Sequence, residues 1–139
     1  MKRNTFLLIS VLALFILSPS LVTAQDDPKL RVLVLTDIEA DPDDTESLIR
    51  FLIYCNQWEV EGLIGTPPIH QKKRVAPESI LKILAACQIV QPNLLKHEPG
   101  YPSYETLTEK VNQGLPVYGM QAAGMVHDSQ GSDWILQVL

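Results

Sequence analysis

The feature that most constrains the fold is an acidic turn placed directly after a short apolar run. Val32 to Leu35 is continuously apolar, and an apolar-periodic stretch begins at Leu48. Between them, five carboxylates fall within eight residues: Asp37, Glu39, Asp41, Asp43 and Asp44. A buried strand, a polar turn and an amphipathic helix in this order predict an α/β fold. The acids would then lie at the carboxyl end of a strand, where open α/β sheets bind ligands.

The acidic turn has two explanations. Crowded carboxylates repel each other and raise each other's pKa unless a cation intervenes, and Ca²⁺ or Mg²⁺ would be a suitable cation. Alternatively, Asp41 is a helix N-cap, Pro42 occupies the first helical position, and the two acids that follow favour the positive end of the helix dipole. Capping leaves Asp37 and Glu39 without a role, so the pattern favours a metal or polar-substrate site.

The pattern around the turn predicts one strand–helix–strand unit. Leu30 to Leu35 is expected to be a strand buried on both faces, because its apolar character is almost continuous. A helix from Pro42 to Asn56 and a strand from Val60 to Thr66 complete a right-handed βαβ crossover. The loop Thr66 to Gln71 would then leave at the same edge as the acidic turn. The buried stripe of the helix is predicted to be Leu48, Phe51, Leu52 and Cys55.

The remainder of the chain predicts helices and loops with few strands. Lys72 to Arg74 is the only basic run and indicates a solvated loop. Because only two strands are evident, we expect a Rossmann-like parallel sheet with flanking helices that is the incomplete N-terminal portion of a larger domain, or that needs a partner. The further expected elements are a helix from Pro77 to Val90 closed by Pro92, a helix capped by Ser103 that reaches Asn112 and stops at Gly114, an extended segment from Leu115 to Met120, a loop from Gln121 to Gly131, and a last helix capped by Ser132 or Asp133.

The first 24 residues have the pattern of a secretory signal peptide. Lys2 and Arg3 precede an apolar run from Phe6 to Leu17, and small residues up to Ala24 precede Gln25. The run is shorter than the roughly 20 apolar residues of a membrane-spanning helix, although an uncleaved anchor is the alternative. We therefore expect a signal peptide over 1–24, a domain over 25–139, a secreted or periplasmic location, and no membrane association after cleavage.

The net charge bears on nucleic-acid binding, and the cysteine content bears on disulfide formation. The chain has 11 basic and 16 acidic residues, a formal charge of −5, and a nucleic-acid partner would require a basic face instead. An oxidising compartment would permit a disulfide between the two cysteines, Cys55 and Cys87. Both lie on apolar faces of predicted helices, where a cysteine behaves as a small buried hydrophobe, so two buried thiols are favoured.

The residues 37–44 resemble the nucleoside hydrolase motif Asp-x-Asp-Pro-Gly-x-Asp-Asp. The chain is more similar to the nucleoside hydrolase-like domain of secreted cellulose-binding proteins of polysaccharide-degrading bacteria, and this resemblance extends from about Arg31 to Leu139. It is carried by Thr36-Asp37-Ile38, Asp41-Pro42-Asp43-Asp44, Ser47-Leu48, Arg50-Phe51-Leu52, Tyr54-Cys55-Asn56, Glu61-Gly62-Leu63-Ile64, Pro92-Asn93-Leu94-Leu95-Lys96-His97, Gly100-Tyr101-Pro102-Ser103 and Tyr118-Gly119-Met120.

The resemblance implies a bound Ca²⁺ at the carboxyl ends of the strands and roles for the acids. Asp37 and Asp44 match metal-site positions, and Asp43 matches the acid that binds a sugar hydroxyl. Glu39 stands where nucleoside hydrolases have the Asp that ligates calcium and acts as base. Since Asp41 replaces the glycine of the hydrolase turn, Asp41 is the other catalytic candidate.

Two main functions follow from these residues. The first is a secreted Ca²⁺-dependent hydrolase of N-glycosidic, nucleoside-type, or related glycosidic bonds, in which carboxylates stabilise an oxocarbenium-like transition state and accept a proton from water. The second is a non-catalytic carbohydrate-associated module that keeps the fold and binds a sugar or polysaccharide, which Glu39 in place of Asp favours. A Mg²⁺ phosphatase ranks third, because the sequence has no Gly-rich phosphate loop or Arg cluster.

Overall fold

The computed structural model describes residues 28–124 and 128–139. They form a parallel three-stranded sheet in the order β1–β2–β3. The predicted α/β class, parallel sheet and flanking helices are confirmed, whereas the predicted signal peptide lies outside the described residues. The strands are β1 (Leu30–Thr36), β2 (Trp58–Gly65) and β3 (Val111–Gln113), and the helices are α1 (Pro42–Ile53), α2 (Pro77–Leu94), α3 (Tyr104–Thr108) and α4 (Gln130–Val138).

The hydrophobic core lies between the sheet and helices α1, α2 and α3. Leu63 of β2 and Ile80 of α2 are completely buried, and Leu84 is almost so. The stripe predicted for the first helix is buried, with Phe51 half-buried and the other three positions buried, although Cys55 lies in the turn that follows α1. The buried cluster consists of Ile38, Leu48, Leu52, Cys55, Val60, Leu63, Ala76, Ile80, Leu84 and Leu107.

Helix α4 covers the opposite face of the sheet. Leu63 and Ile64 are successive residues of β2, so their side chains point to opposite faces. Leu63 enters the core, whereas Ile64 packs so closely on α4 that a Cβ at Gly131 would lie 2.6 Å from its Cγ2 atom. The Trp134 indole N–H donates to the backbone carbonyl of Glu61 at 2.6 Å. Helices therefore lie on both faces of the sheet, with α4 packed on β2 and β3.

Strand β2 contains one residue more than its neighbour. Val32 pairs with Val60 and Leu33 pairs with Gly62, so Glu61 is left as the extra residue of a bulge. The bulge shifts the alternation of side chains along the strand, which explains why Val60 and Leu63 both reach the core although they are three residues apart.

Several predicted boundaries are wrong. The first helix ends at Ile53 and is followed by a 3₁₀ turn over Cys55–Gln57. Helix α2 continues through Pro92 to Leu94, because its last turn is largely exposed and water can replace the hydrogen bond that proline removes.

The prediction was also wrong for the region that contains β3. The helix expected to reach Asn112 ends at Thr108, and Val111 pairs with Leu63 in the sheet. The segment predicted to be extended over 115–120 forms no strand, and residues 120–122 form a 3₁₀ turn. The last helix is capped by Ser129, whose hydroxyl accepts the Ser132 backbone N–H at 3.1 Å. Three residues of strand are too few for a periodic signal, so pairing with β2 decides their conformation.

Strand β1 differs from its predicted environment. Within the described residues it pairs with β2 along one edge only, and Leu30 and Leu35 are 69% and 58% exposed.

Both cysteines are free, Cys55 buried and Cys87 half-buried. Burial raises the pKa of the Cys55 thiol to about 11 and also raises the pKa of the Cys87 thiol. None of the helices in the described ranges is long and apolar enough to span a membrane.

Candidate functional site

The carboxyl ends of the three strands meet at one edge of the sheet. The Thr66 backbone N–H donates to the Thr36 carbonyl at 2.8 Å, which joins the ends of β2 and β1. The Gly114 backbone N–H donates to the Gly65 carbonyl at 2.8 Å, which joins the ends of β3 and β2. The loop after β2 therefore leaves beside the acidic turn, as the sequence predicted.

The acidic turn connects β1 to α1 through two local hydrogen bonds. The Ala40 backbone N–H donates to the Asp37 carbonyl at 2.9 Å and closes the turn. Asp41 is the N-cap of α1 with an extended backbone, and Pro42 begins the helix. The Asp41 backbone N–H donates to Asp44 Oδ2 at 3.0 Å. Capping therefore explains part of the cluster, and it fixes the direction of the Asp44 carboxylate.

Two of the five carboxylates border a common cavity. Asp37 and Asp44 line an open cavity of about 220 Å³ between the end of β1 and the first turns of α1. The hydroxyl-bearing residues Thr36 and Ser47 line it as well. Its remaining walls are apolar and consist of Val34, Leu35, Leu48 and Phe51. The cavity thus combines carboxylates and hydroxyls with an apolar wall, which suits a ligand that has both hydroxyl groups and C–H surface.

Glu39 points to a different set of partners. Arg74 Nη2 and Nε lie 2.5 Å and 3.0 Å from Glu39 Oε2, and the Ser79 hydroxyl donates to Glu39 Oε1. Arg74 also contacts Glu78 Oε1 at 3.0 Å. The Ser79 hydrogen bond and the Arg74 guanidinium lower the pKa of Glu39 below its ordinary value of 4.5. Both carboxylate oxygens are occupied, and a carboxylate with a lowered pKa is a weaker base.

The structure does not bring the remaining candidates into the cavity. Asp41 and Asp43 are exposed at the start of α1, and neither borders the cavity. Histidines are further possible proton donors; His70 and His97 are exposed in loops and do not line the cavity, and His127 lies outside the described residues. Of the predicted site residues, Asp37 and Asp44 therefore share one space, while the other three acids do not.

Sequence reasoning missed four residues of this region. Thr36 and Ser47 line the cavity. Their positions could have predicted this, because Thr36 ends the strand and Ser47 lies three residues after Asp44. Arg74 was assigned to a solvated basic loop, yet it pairs with an acid 35 residues away. Ser79 carries no pattern that would indicate its contact with that acid.

The donor set does not by itself complete a calcium site. Ca²⁺ takes six to eight oxygen ligands, usually with several carboxylates. Over 28–124 and 128–139, no group of three or more Asp, Glu, His or Cys side chains is arranged to hold a metal ion. Asp37 and Asp44 are the two carboxylates that border the cavity, so the ligand set implied by the resemblance is only partly present.

Comparisons with known proteins identify the family to which the chain belongs. The family model described as "Cellulose-binding Sde182, nucleoside hydrolase-like domain" matches residues 31–139. The chain belongs to this family. The nucleoside hydrolase-like assignment therefore covers every strand and helix except the first residue of β1, including all five acids of the turn.

A similar solved structure also belongs to a protein described as related to nucleoside hydrolases. It is described as a nucleoside hydrolase-related hypothetical protein from Saccharophagus degradans that is associated with carbohydrate metabolism. The TM-score is 0.73 at 34% sequence identity, and the match covers 81% of this chain. The chain spans 27% of the length of that relative. No curated protein matches the chain.

Proposed function

We propose that this chain provides a carbohydrate-binding site in a nucleoside hydrolase-like domain, at the cavity between β1 and α1. One observation carries the proposal. Asp37 and Asp44 face the open cavity, whereas Glu39, at the position of the hydrolase base, is held elsewhere by Arg74 and Ser79. The arrangement keeps groups that bind hydroxyls and withdraws a group that would deprotonate water.

The chemistry of the cavity suits a sugar ring. Ionised carboxylates accept charge-assisted hydrogen bonds from hydroxyl groups, and these bonds are stronger than those between neutral groups. Thr36 and Ser47 can each donate or accept a further hydrogen bond. Phe51 and Leu48 offer an apolar wall for the C–H face of the ring. At about 220 Å³ the cavity is smaller than the roughly 300–1,000 Å³ of pockets for drug-sized ligands, which suits one sugar unit.

We infer that the ligand is a polysaccharide or an oligosaccharide derived from one. The family description names cellulose binding, and the Saccharophagus relative is described as associated with carbohydrate metabolism. The formal charge of −5 disfavours nucleic acid as the partner. A polysaccharide would be met outside the cytoplasm, which is consistent with the location predicted from residues 1–24.

Binding of cello-oligosaccharides tests the proposal. We expect the full chain to bind cellohexaose in calorimetric titration and to be retained by insoluble cellulose. Asp37→Asn or Asp44→Asn removes a charged acceptor, which is worth about 1.5–3 kcal/mol and corresponds to roughly 10–100-fold in affinity. Asp133→Asn, which changes an exposed acid in α4, is the matched control and should bind like the wild type. Equal affinity in all three variants would contradict the assignment.

Calcium-dependent hydrolysis is the second candidate. It is favoured by Asp37, Asp43 and Asp44, which match the motif positions for metal and sugar hydroxyls. In this function Asp37 and Asp44 would supply part of the calcium shell. Asp41, which is exposed at the N-cap, would be the base candidate besides Glu39.

Turnover distinguishes the two candidates. Release of base from nucleosides, or of the aryl group from aryl ribosides, would be measured with Ca²⁺ and again after chelation. Turnover that requires Ca²⁺ and is abolished in Asp44→Ala would establish the hydrolase. Saccharide binding without turnover would establish the binding module.

A further inference from the structure

The acidic turn is tied to the loop before α2 and to the first turn of α2 by three residues, which we call the Glu39 strap: Glu39, Arg74 and Ser79. Arg74 reaches Glu39 Oε2 through two nitrogens, at 2.5 Å and 3.0 Å, and Ser79 donates to the other oxygen. The partners are 35 and 40 residues away in the chain. The strap therefore joins the loops that follow β1 and β2 at the site edge of the sheet.

Glu39 adopts a backbone conformation that its side chain disfavours. Its φ angle is +78°, in the left-handed region that residues with a Cβ rarely occupy. Such a conformation persists only where surrounding contacts determine it. Arg74 and Ser79 hold the Glu39 side chain from outside the turn, so they are the contacts that can stabilise this conformation.

The conformation of Glu39 determines the geometry of the turn on both sides of it. Two residues before it, Asp37 lies on the cavity, and its carbonyl accepts the Ala40 N–H at 2.9 Å. Two residues after it, Asp41 begins the capped turn that directs Asp44. A change at Glu39 would move the two cavity carboxylates relative to each other.

We propose that Arg74 is a positioning residue for the carbohydrate site, acting with Ser79 through Glu39. The strap holds the turn so that Asp37 and Asp44 face one cavity, and it keeps the third carboxylate out of that cavity. The proposal rests on the proposed function for its effect on affinity, whereas its effect on the turn is independent of any ligand.

The alternative is an ordinary surface ion pair. The side chains of Arg74 and Glu39 are 47% and 34% exposed, and exposed pairs contribute little to global stability. A merely peripheral pair would leave the turn and the affinity unchanged on removal. Two measurements separate the explanations: local hydrogen exchange in the turn and affinity for cellohexaose.

Arg74→Met tests the proposal, because methionine keeps much of the aliphatic length and removes the charge and donors. Lys73→Met removes a neighbouring positive charge from the same exposed loop and is the matched control. In Arg74→Met we expect the Ala40 amide to exchange at least about tenfold faster, with Leu63 in β2 unchanged. We expect a fivefold or greater loss of cellohexaose affinity in the same variant, and partial recovery in Arg74→Lys.

A double-mutant cycle with Glu39→Gln shows whether Arg74 acts through Glu39. The effects on Ala40 exchange should be non-additive, so the double variant should resemble Arg74→Met alone. Unchanged exchange at Ala40 in Arg74→Met, or fully additive effects, would overturn the proposal. If the wild-type chain binds no saccharide, the proposed function fails, while the exchange measurements still decide whether the strap holds the turn.

Discussion

Two regions of the molecule share the same strands and helices but differ in their contacts. One is the buried cluster beneath α1 and α2, and the other is the polar edge where the strands end. In the cluster, contacts are apolar and the side chains are almost fully enclosed. At the edge, the side chains are polar and partly exposed, and partners such as Glu39 and Arg74 are distant in sequence. Helix α1 contributes to both, with Leu52 in the cluster and Asp44 at the cavity. The comparison suggests that stability and ligand binding can be changed separately.

The largest expected effect is on stability, from Leu84→Ala. Leu84 is 1% exposed in the middle of α2, and removal of a buried leucine leaves a cavity that neighbours fill only in part. We expect a loss of about 2–5 kcal/mol in the free energy of unfolding. Urea denaturation measures this loss, and cellohexaose affinity of the folded variant should not change.

Leu81→Ala is the matched control for this prediction. Leu81 lies three residues away on α2 and is 37% exposed, so its truncation should destabilise the chain much less. Equal losses for the two variants would contradict the placement of the cluster. A large loss of affinity in Leu84→Ala, measured where the variant is folded, would show that stability and binding are not separable.

The two regions also differ in how well sequence predicts them. The cluster follows from periodicity: Leu48 and Leu52, four residues apart in α1, are buried as the pattern indicated. The location of the acidic turn follows equally well, because a strand followed by a capped helix has local signals. The Arg74–Glu39 contact and β3 do not follow, since each depends on which distant segments meet in the folded chain.

A glycine at the edge provides the second prediction. A Cβ at Gly114 would lie 2.7 Å from the Gly65 carbonyl oxygen, closer than real Cβ contacts come, and both groups belong to the backbone. Gly114→Ala must therefore push β3 away from β2. We expect a loss of about 1–3 kcal/mol in unfolding free energy, as for overpacked sites.

The measurement for Gly114→Ala is thermal or urea unfolding, with Gln113→Ala beside it as the control. Gln113 is exposed, so its truncation should have little effect on unfolding. Because Gly114 is not on the cavity of Asp37 and Asp44, saccharide affinity should stay within about twofold of the wild type. An unaltered stability in Gly114→Ala would show that the strand ends are farther apart than the structure places them.

Asp44 both accepts a hydrogen bond at the start of α1 and lines the cavity, and two substitutions separate these roles. Asp44→Ala removes the acceptor for the Asp41 N–H and should reduce unfolding free energy by about 0.5–2 kcal/mol, as for lost helix caps. Asp44→Asn keeps an acceptor oxygen and should recover most of that stability without recovering saccharide affinity. If asparagine restores both stability and affinity, the carboxylate charge is not part of the binding site.

The smallest expected effect is a pH dependence of stability that originates at Glu39. The Ser79 hydrogen bond and the Arg74 charge lower its pKa in the folded chain below 4.5. A lowered pKa means that the contribution is fully present above the unfolded-state pKa and is lost as pH falls through the folded-state pKa. Because the pair is partly exposed, the contribution should be under about 1 kcal/mol.

Comparison of the wild type with Glu39→Gln isolates this contribution, because glutamine does not titrate. At pH 7 the wild type should be the more stable protein in urea denaturation, and the difference should shrink as the pH is lowered below 4.5. The deficit of Leu84→Ala comes from lost apolar contacts and should stay constant over the same range. A Glu39→Gln deficit that is equally constant would show that the charge of Glu39 contributes nothing to stability, and that its uncharged contacts account for the deficit.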